Sequence, residues 1–443
     1  MKETTVKYPF LTRDVKIYEQ ENGHKIVLAY KEGGMVNVSS WVKTGSINEN
    51  DRNNGISHFL EHLMFKGTHK HKAGEFDHIL EARGAIVNAA TWKDYTFYYV
   101  TLPKGENDEN FDLAIELHAD MMTDPVIPDY EMGAPFDVND KNVTDKRERH
   151  VVIEEIRMRQ DQPWTKVYNS TNHAMYTSHP YKRDVIGTPE IISQVSQEEV
   201  MNYYRMFYSP KNVTTIIVGE FDFDTVLNKV VKAFNWGERP TPPDRNLVPD
   251  KPVEQTVYIE NEGNINSSFM MFGYLGVPAR DLKNLICLEM LSVILGEGTS
   301  SRLYVNLVEN LDEHIFNIID AENYSFRDGS NFFVQANFNP QYKEKAIELV
   351  KGEIEKLKEG ITERELNKAK KKLKSRFASE AETVSEIGES IGYYMTVCDD
   401  LDLAEDYMPT CDSITAEDLT ETAKNYLNIN NAVISVLRPA GAD

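Results

Sequence analysis

Cysteine is scarce in this chain, and its placement argues against two kinds of cysteine chemistry. The 443 residues include three cysteines, Cys287, Cys398 and Cys411, and none lies in a Cys-x-x-Cys spacing. Disulfide frameworks and cysteine zinc sites both need more cysteines at characteristic spacings. The sequence therefore predicts neither a disulfide-stabilised fold nor a cysteine-ligated metal.

Long apolar runs are also missing. Residues 1–10 hold no apolar signal core. No uninterrupted apolar run reaches the length of about 20 residues that spans a membrane. We therefore expect a chain that lies outside the membrane, in the cytoplasm, or in the periplasm or another exported location if a signal has been removed.

Positive charge is in deficit. The chain has 48 lysines and arginines against 71 aspartates and glutamates, so the formal net charge is −23 at pH 7. Such a chain repels nucleic acid and anionic membrane surfaces, and we expect neither as a partner. A solvated acidic surface explains this balance, and an attraction to basic peptides is the alternative interpretation.

Length and proline placement predict two domains. A chain of 443 residues exceeds the size at which one hydrophobic core usually stops growing. Five prolines fall within residues 238–252, and proline stiffens a chain and removes backbone donors. We predict an N-terminal catalytic domain over residues 1–237, a proline-rich linker over residues 238–252 and a homologous C-terminal domain over residues 253–443.

The two halves look like divergent copies of each other. Capping-box patterns open helices at Ser196 and Thr415, and in each case an asparagine sixteen residues later leads into an apolar run. In each half a strand-like run also precedes a helix that contains Ala-Ile-Glu-Leu, at residues 114–117 and 346–349. We predict an α+β fold of two homologous domains, each a mostly antiparallel sheet covered by helices.

One helical segment carries a metal-binding pattern. His58 and His62 are four residues apart and share a helix face, and Glu61 lies beside them. Two imidazoles at this spacing can bind one zinc ion, while the carboxylate can reach a water on that ion. The alternative is a helix with two hydrogen-bonded histidines and a surface glutamate. Apolar neighbours such as Phe59 and Leu60 favour the metal, because the polar stripe would otherwise be buried without a partner.

The third ligand is expected on a second helix, because a catalytic zinc ion needs three protein ligands and one open position. Glu148 and Glu155 are seven residues apart and lie on one helix face, whereas Glu154 points to a different face. We predict Glu155 as the ligand and Glu148 as a supporting carboxylate beside a ligand or the water network. Taken alone, this stretch is typical of a charged, solvated helix.

These segments together resemble the pitrilysin family of zinc peptidases, the inverzincins, and in particular its short, two-domain bacterial and mitochondrial-processing-peptidase-like members. The resemblance covers nearly the whole chain and rests on His58-Phe-Leu-Glu61-His62 and on residues 84–98, 148–155 and 296–304. It implies a zinc-dependent endopeptidase with one Zn²⁺ per chain. In this family two such chains pair as a clamshell around a chamber for extended or unfolded peptides, each chain forming one half.

The resemblance also implies a substrate strand. Residues 84–89 look like an edge strand to which a peptide adds by main-chain pairing, with Asn88 and Ala89 beside the scissile bond. The implied substrate-binding residues are Gly84, Asn88, Ala89 and Thr91. Strand addition holds a peptide with little demand on its sequence. Without the family, a plain hairpin strand would be the preferred interpretation.

Two features depart from the family pattern. Residues 131–145 appear as additional residues between His62 and Glu155 compared with the family. They are polar and rich in turn residues such as Asn142, so we interpret them as a surface loop. A position at the border of the chamber is the alternative. Active members also typically carry an arginine and a tyrosine that hold the substrate carbonyl. Glu309 and Phe316 stand at those places, and neither side chain can donate a hydrogen bond to an oxyanion.

The second departure bears on partners. The chain resembles the zinc-bearing subunit of a heterodimer whose homologous companion supplies the arginine and tyrosine, and a homodimer is the less favoured alternative. A catalytically inactive peptide-binding or assembly subunit of the same fold is the alternative function. The zinc motif is complete in all four predicted positions, which favours the enzyme.

Overall fold

A computed structural model describes residues 1–140, 145 and 147–441, so Asn142 of the predicted surface loop lies outside the described residues. The chain divides into two compact units. Unit 1 comprises Met1–Arg157, Arg183–Asn246 and Ala378–Glu405, and unit 2 comprises Met158–Lys182, Leu247–Phe377 and Asp406–Asp443. Each unit thus includes a segment from the other half of the sequence. The linear division at residues 237 and 253 stays a prediction.

A seven-stranded sheet forms the centre of unit 1. Its strands are β1 (Lys2–Val6), β2 (Val15–Glu19), β3 (Lys25–Tyr30), β4 (Met35–Val42), β5 (Ile86–Thr91), β6 (Thr96–Pro103) and β7 (Val213–Gly219). Their order is β1-β2-β3-β7-β4-β6-β5, and neighbours are antiparallel except for β3 and β7. β5 is therefore an edge strand.

Unit 2 contains a smaller sheet with the same plan. Its strands are β8 (Val257–Gly263), β9 (Ser268–Leu275), β10 (Phe316–Phe326), β11 (Gly329–Phe338) and β12 (Val433–Pro439). Their order is β10-β11-β9-β12-β8, and only β8 and β12 are parallel. In unit 1 the order β5-β6-β4-β7-β3 ends in the same kind of parallel pair. The predicted α+β fold of two homologous domains is confirmed.

Helices cover these sheets. The described residues form α1 (Ile56–Leu63), α2 (Glu75–Glu81), α3 (Glu109–Thr123), α4 (Asp129–Met132), α5 (Glu148–Asp161), α6 (Pro163–Met175), α7 (Pro189–Ile192), α8 (Gln197–Phe207), α9 (Phe223–Ala233), α10 (Leu282–Leu295), α11 (Arg302–Tyr304), α12 (Lys343–Leu357), α13 (Glu363–Ser379), α14 (Val384–Tyr393), α15 (Asp402–Ser413) and α16 (Ala416–Tyr426). Both predicted capping boxes form, at the starts of α8 and α16.

The orientation of α1 follows from its apolar residues. Ile56, Phe59, Leu60 and Leu63 recur at the i, i+3, i+4, i+7 spacing and are at most 1% exposed in the core of unit 1. An α-helix turns by 3.6 residues, so residues 58 and 62 lie on its other side. Packing of the apolar stripe therefore directs the two histidines away from the core.

Two buried histidines make the stability of unit 1 dependent on pH. Burial lowers the pKa of His24 and of His118 to about 3. His24 Nε2 lies 2.9 Å from Thr215 Oγ1, whereas neither ring nitrogen of His118 has a hydrogen-bond partner among the described residues. The unfolded chain binds these protons below about pH 6.5, but the folded chain does so only near pH 3. Stability is therefore lost as the pH falls through this window.

His118→Leu is expected to reduce this acid sensitivity. Each histidine that stays neutral in the folded state steepens the loss of unfolding free energy by about 1.4 kcal/mol per pH unit. Leucine at position 118 binds no proton in the unfolded chain, and the substitution also removes two buried polar atoms. Urea unfolding between pH 6 and 4 should show a shallower decline than in the wild-type protein. Parallel declines would contradict the assignment.

Candidate metal centre

Helix α1 presents both histidines of the predicted motif side by side. The ring centroids of His58 and His62 are 4.8 Å apart, and the ring planes meet at 66°. The apolar side of α1 is buried, so the helix cannot rotate without exposing that side to water. The two imidazoles are therefore fixed next to each other, as their i, i+4 spacing predicts.

Glu155 of α5 lies against both imidazoles. Its Oε2 atom is 3.8 Å from His58 Nε2 and 3.6 Å from His62 Nε2. One candidate ligand atom from each of the three residues lies within 4.8 Å of the others, and no other group of three meets this criterion in the described part of the chain. Ligand atoms at about 2.0–2.2 Å from a tetrahedral zinc ion are roughly 3.4 Å apart. Two imidazoles and one carboxylate at these separations fit one zinc ion.

Glu148, at the start of α5, connects His62 to a lysine. Its Oε2 atom is 3.2 Å from His62 Nδ1, and its Oε1 atom is 2.5 Å from Lys66 Nζ. Burial raises the pKa of Glu148, but the hydrogen bonds with His62 and Lys66 outweigh burial and lower it overall. An ionised carboxylate can accept the Nδ1 proton of His62 and so leaves Nε2 for a metal ion.

The two glutamates also control the protonation of His62. Burial lowers the pKa of His62, whereas its hydrogen bonds with Glu148 and Glu155 raise it, and the net pKa is about 9. A metal ligand has to be the neutral imidazole, so a bound metal displaces this proton. Metal ions and protons therefore compete for His62.

Glu61 lies beside the histidines without joining the three-residue cluster. Its side chain is buried, and its Oε2 atom accepts a hydrogen bond from Thr91 Oγ1 at 2.5 Å. Thr91 is the last residue of β5. The carboxylate is thus oriented by the edge strand as well as by α1.

The predicted substrate-binding residues fall in three different positions. Ala89 and Thr91 lie on the side of β5 that faces the core and α1. Asn88 alternates with them, so its exposed side chain lies on the opposite face, where its Oδ1 accepts the Ala89 N–H at 2.8 Å. Gly84 precedes the strand, with φ of +73°. The strand begins at Ile86, so the strand predicted from residue 84 onward starts two residues too early.

Comparison with known proteins identifies the family. A family model described as Insulinase (Peptidase family M16) matches residues 25–189, and one described as Peptidase M16 inactive domain matches residues 194–373. The chain is 31% identical to the zinc protease PqqE of Helicobacter pylori over 428 residues, which cover 95% of this chain and 91% of that protein. The chain belongs to peptidase family M16. The predicted membership of the pitrilysin family is confirmed.

Solved structures share the fold of this M16 chain. A protease from Helicobacter pylori matches with a TM-score of 0.84 and 28% identity, over 96% of this chain and 99% of that one. A peptidase M16 inactive domain from Pseudomonas fluorescens matches with a TM-score of 0.85 and 17% identity, over 97% and 98% of the two chains. At that lower identity the likeness concerns the fold alone.

Arg149 holds the second helix of this candidate site in place, and sequence reasoning missed it. The guanidinium is 2% exposed and donates hydrogen bonds to the carbonyl oxygens of Gly133, at 3.0 Å, and Val195, at 2.8 Å. It also lies 5.4 Å from the ring centroid of Phe59 in α1. Arg149 therefore ties the start of α5 to α1. Its signal in the sequence was weak, because its partners are backbone carbonyls distant along the chain.

The two positions at which the sequence predicts a departure from the family pattern lie in unit 2. Glu309 is exposed, and Phe316 is the first residue of β10 and 1% exposed in the core of that unit. Neither side chain offers a hydrogen-bond donor. Among the described residues, no helix combines the length and apolar character needed to cross a membrane.

Proposed function

We propose that this M16 chain is a zinc-dependent endopeptidase that hydrolyses extended or unfolded peptides. His58, His62 and Glu155 would hold one Zn²⁺ per chain, and Glu61 would act on the water beside it. The convergence of three candidate ligand atoms within 4.8 Å carries the proposal. The membership of family M16 and the zinc-protease relative from Helicobacter pylori support it.

Each residue of the site would have one task. A bound zinc ion would lower the pKa of a water molecule toward neutrality and polarise the scissile carbonyl. Glu61, which accepts a hydrogen bond from Thr91, would take the proton of that water and return it to the leaving amine. Glu148, with Lys66 beside it, would keep the Nδ1 proton on His62 and so hold its ring in the ligating tautomer.

The substrate is proposed to add as a strand to β5. On one side β5 pairs with β6, and no strand of the described residues pairs with its other side. An unpaired edge offers main-chain donors and acceptors to an extended peptide, largely independent of its sequence. Because Thr91 contacts Glu61, a peptide on this edge would pass next to the proposed base, with Asn88 and Ala89 beside the scissile bond and Gly84 before them.

We further propose a homologous companion chain. Hydrolysis needs donors for the developing oxyanion, and neither Glu309 nor the buried Phe316 can serve as one. A companion with an arginine and a tyrosine at the corresponding positions would supply these donors. A homodimer lacks them in both chains and is therefore less favoured.

The chain alone is expected to turn over peptides poorly. Loss of oxyanion donors costs about 10²–10³-fold in turnover, so kcat/KM for a quenched fluorogenic, unstructured peptide should rise by that order when the companion is added. Chelation should abolish the activity, and added zinc should restore it. Full turnover by the isolated chain would remove the need for a companion. Activity that chelators leave unchanged would contradict the zinc peptidase.

A catalytically inactive peptide-binding or assembly subunit is the second candidate function. The absence of a donor at Glu309 and Phe316 favours it over an enzyme that acts by itself. This candidate predicts binding of an unfolded peptide with no hydrolysis, even with zinc and a companion chain present. Measured zinc content together with the same fluorogenic assay separates the two.

A further inference from the structure

A buried carboxylate caps the helix that carries the zinc motif. Glu49 is 5% exposed, and its Oε2 atom accepts hydrogen bonds from the Gly55 N–H at 2.7 Å and from Asn54 Nδ2 at 2.8 Å. Its Oε1 atom accepts the Ser57 N–H at 2.9 Å. Gly55 is the N-cap of α1 and Ser57 is its second residue. Both oxygens of Glu49 thus bind the backbone one turn or less from His58.

This cap cannot come from the N-cap residue itself. Gly55 has φ of +96°, and a Cβ atom there would lie 2.7 Å from the Ile186 carbonyl oxygen, so the position requires glycine. Glycine has no side chain to accept the N–H groups that the first helical turn leaves unpaired. A carboxylate from outside the helix meets this need, and its negative charge also suits the positive end of the helix dipole.

Neighbouring contacts fix the cap in space. Asn54 Nδ2 also donates to the Asp184 carbonyl oxygen at 2.8 Å. The Ser57 hydroxyl lies 2.8 Å from the Tyr203 hydroxyl, which in turn lies 2.8 Å from Thr44 Oγ1. The first turn of α1 is therefore tied to other parts of unit 1 by polar contacts as well as by its apolar stripe.

We propose that Glu49 is a positioning residue for the zinc site, which sets the direction of His58 and His62 toward Glu155. The inference rests on the proposed zinc-binding function. α1 has only eight residues, and His58 is the third of them. Fraying of its first turn would move His58 directly and would release the helix end that orients His62. The ligand atoms now 3.6–3.8 Å from Glu155 Oε2 would then separate.

Zinc affinity of the Glu49→Gln variant tests this inference. The amide keeps the shape of the side chain, but an NH2 group replaces one of the two oxygens that accept hydrogen bonds from α1 and Asn54, and that group cannot accept them. Supporting groups of a metal site typically contribute 10–100-fold in affinity, and we expect a loss of that size in competition with a chromophoric chelator. We also expect an altered visible absorption spectrum of the Co²⁺-loaded protein, because the ligand geometry changes.

Glu353→Gln is the matched control. Glu353 of α12 is a carboxylate in unit 2 with 2% exposure, and it accepts hydrogen bonds from Asn306 Nδ2 at 2.8 Å and Lys356 Nζ at 2.6 Å. Its substitution should lower folding stability without changing zinc affinity or the Co²⁺ spectrum. A general loss of stability is thereby separated from an effect on the site.

Three outcomes would overturn the inference. The first is wild-type zinc affinity and an unchanged Co²⁺ spectrum in Glu49→Gln. The second outcome concerns Glu49→Asp, which replaces Glu49→Gln in the test if Glu49→Gln does not fold. Glu49→Asp then keeps the charge on a shorter side chain, and zinc affinity within twofold of the wild type would count against a positioning role. The third is a wild-type chain that binds no zinc, which would overturn the proposed function as well.

Discussion

Glu61→Gln is expected to abolish peptide hydrolysis and to leave the zinc content unchanged. The amide is isosteric and still accepts the hydrogen bond from Thr91, so the local structure is retained. It cannot take a proton from water, and general acid–base catalysis typically contributes about 10²–10⁴-fold. Zinc-loaded chain, assayed with its companion, should therefore lose at least that factor in kcat with little change in KM.

Glu154→Gln provides the comparison for this variant. Glu154 is an exposed residue of α5, and its Oε1 atom pairs with Arg157 at 2.6 Å. Its substitution removes the same charge from the same unit and should change neither zinc content nor turnover. Retained hydrolysis in Glu61→Gln would refute its role as the base, whereas loss of zinc from that variant would indicate a structural effect instead.

His62→Ala is expected to lose the metal itself. The substitution leaves two candidate ligands, His58 and Glu155. Glu148 loses its contact with the imidazole and keeps its contact with Lys66. Removal of a ligand should exceed the 10–100-fold cost of removing a supporting group, so zinc affinity should fall by more than about 100-fold. Elemental analysis after dialysis should find zinc in the wild-type chain and none in the variant.

Thermal unfolding provides a second measurement for His62→Ala. A ligand that binds only the folded state raises its stability, so zinc should raise the unfolding temperature of the wild-type chain but not of the variant. His69→Ala is the control, because His69 is exposed and pairs with Asp124 at 2.8 Å outside the cluster. A zinc-dependent shift that survives in His62→Ala would place the metal elsewhere.

The sequence predictions that agree with the structure rest on local patterns. The apolar stripe and histidine spacing of α1, the two capping boxes, and the paired Ala-Ile-Glu-Leu helices all depend on residues within a turn or two of each other. Each pattern reports a local preference that tertiary packing reinforces. The family expectation and the α+β fold follow from them.

The features of the site that could not be predicted from the sequence depend on contacts between segments that are distant along the chain. Glu49 and Arg149 act on backbone groups, which have no signature in the sequence. Lys66 had a usable signal, because it lies four residues after His62. The start of β5 was placed too early because Gly84 adopts a left-handed conformation, which ends the preceding turn rather than opening a strand.

The assignment of residues 378–405 to unit 1 has a consequence for the order of events during synthesis. α14 packs on β4 and β7, and Gly392 approaches Trp41 so closely that any side chain there would overlap the indole. The face of the sheet that α14 covers therefore stays uncovered during synthesis until residues 384–393 have left the ribosome. A nascent chain that stops short of this helix would expose that face of the sheet, including Trp41, to chaperones and proteases.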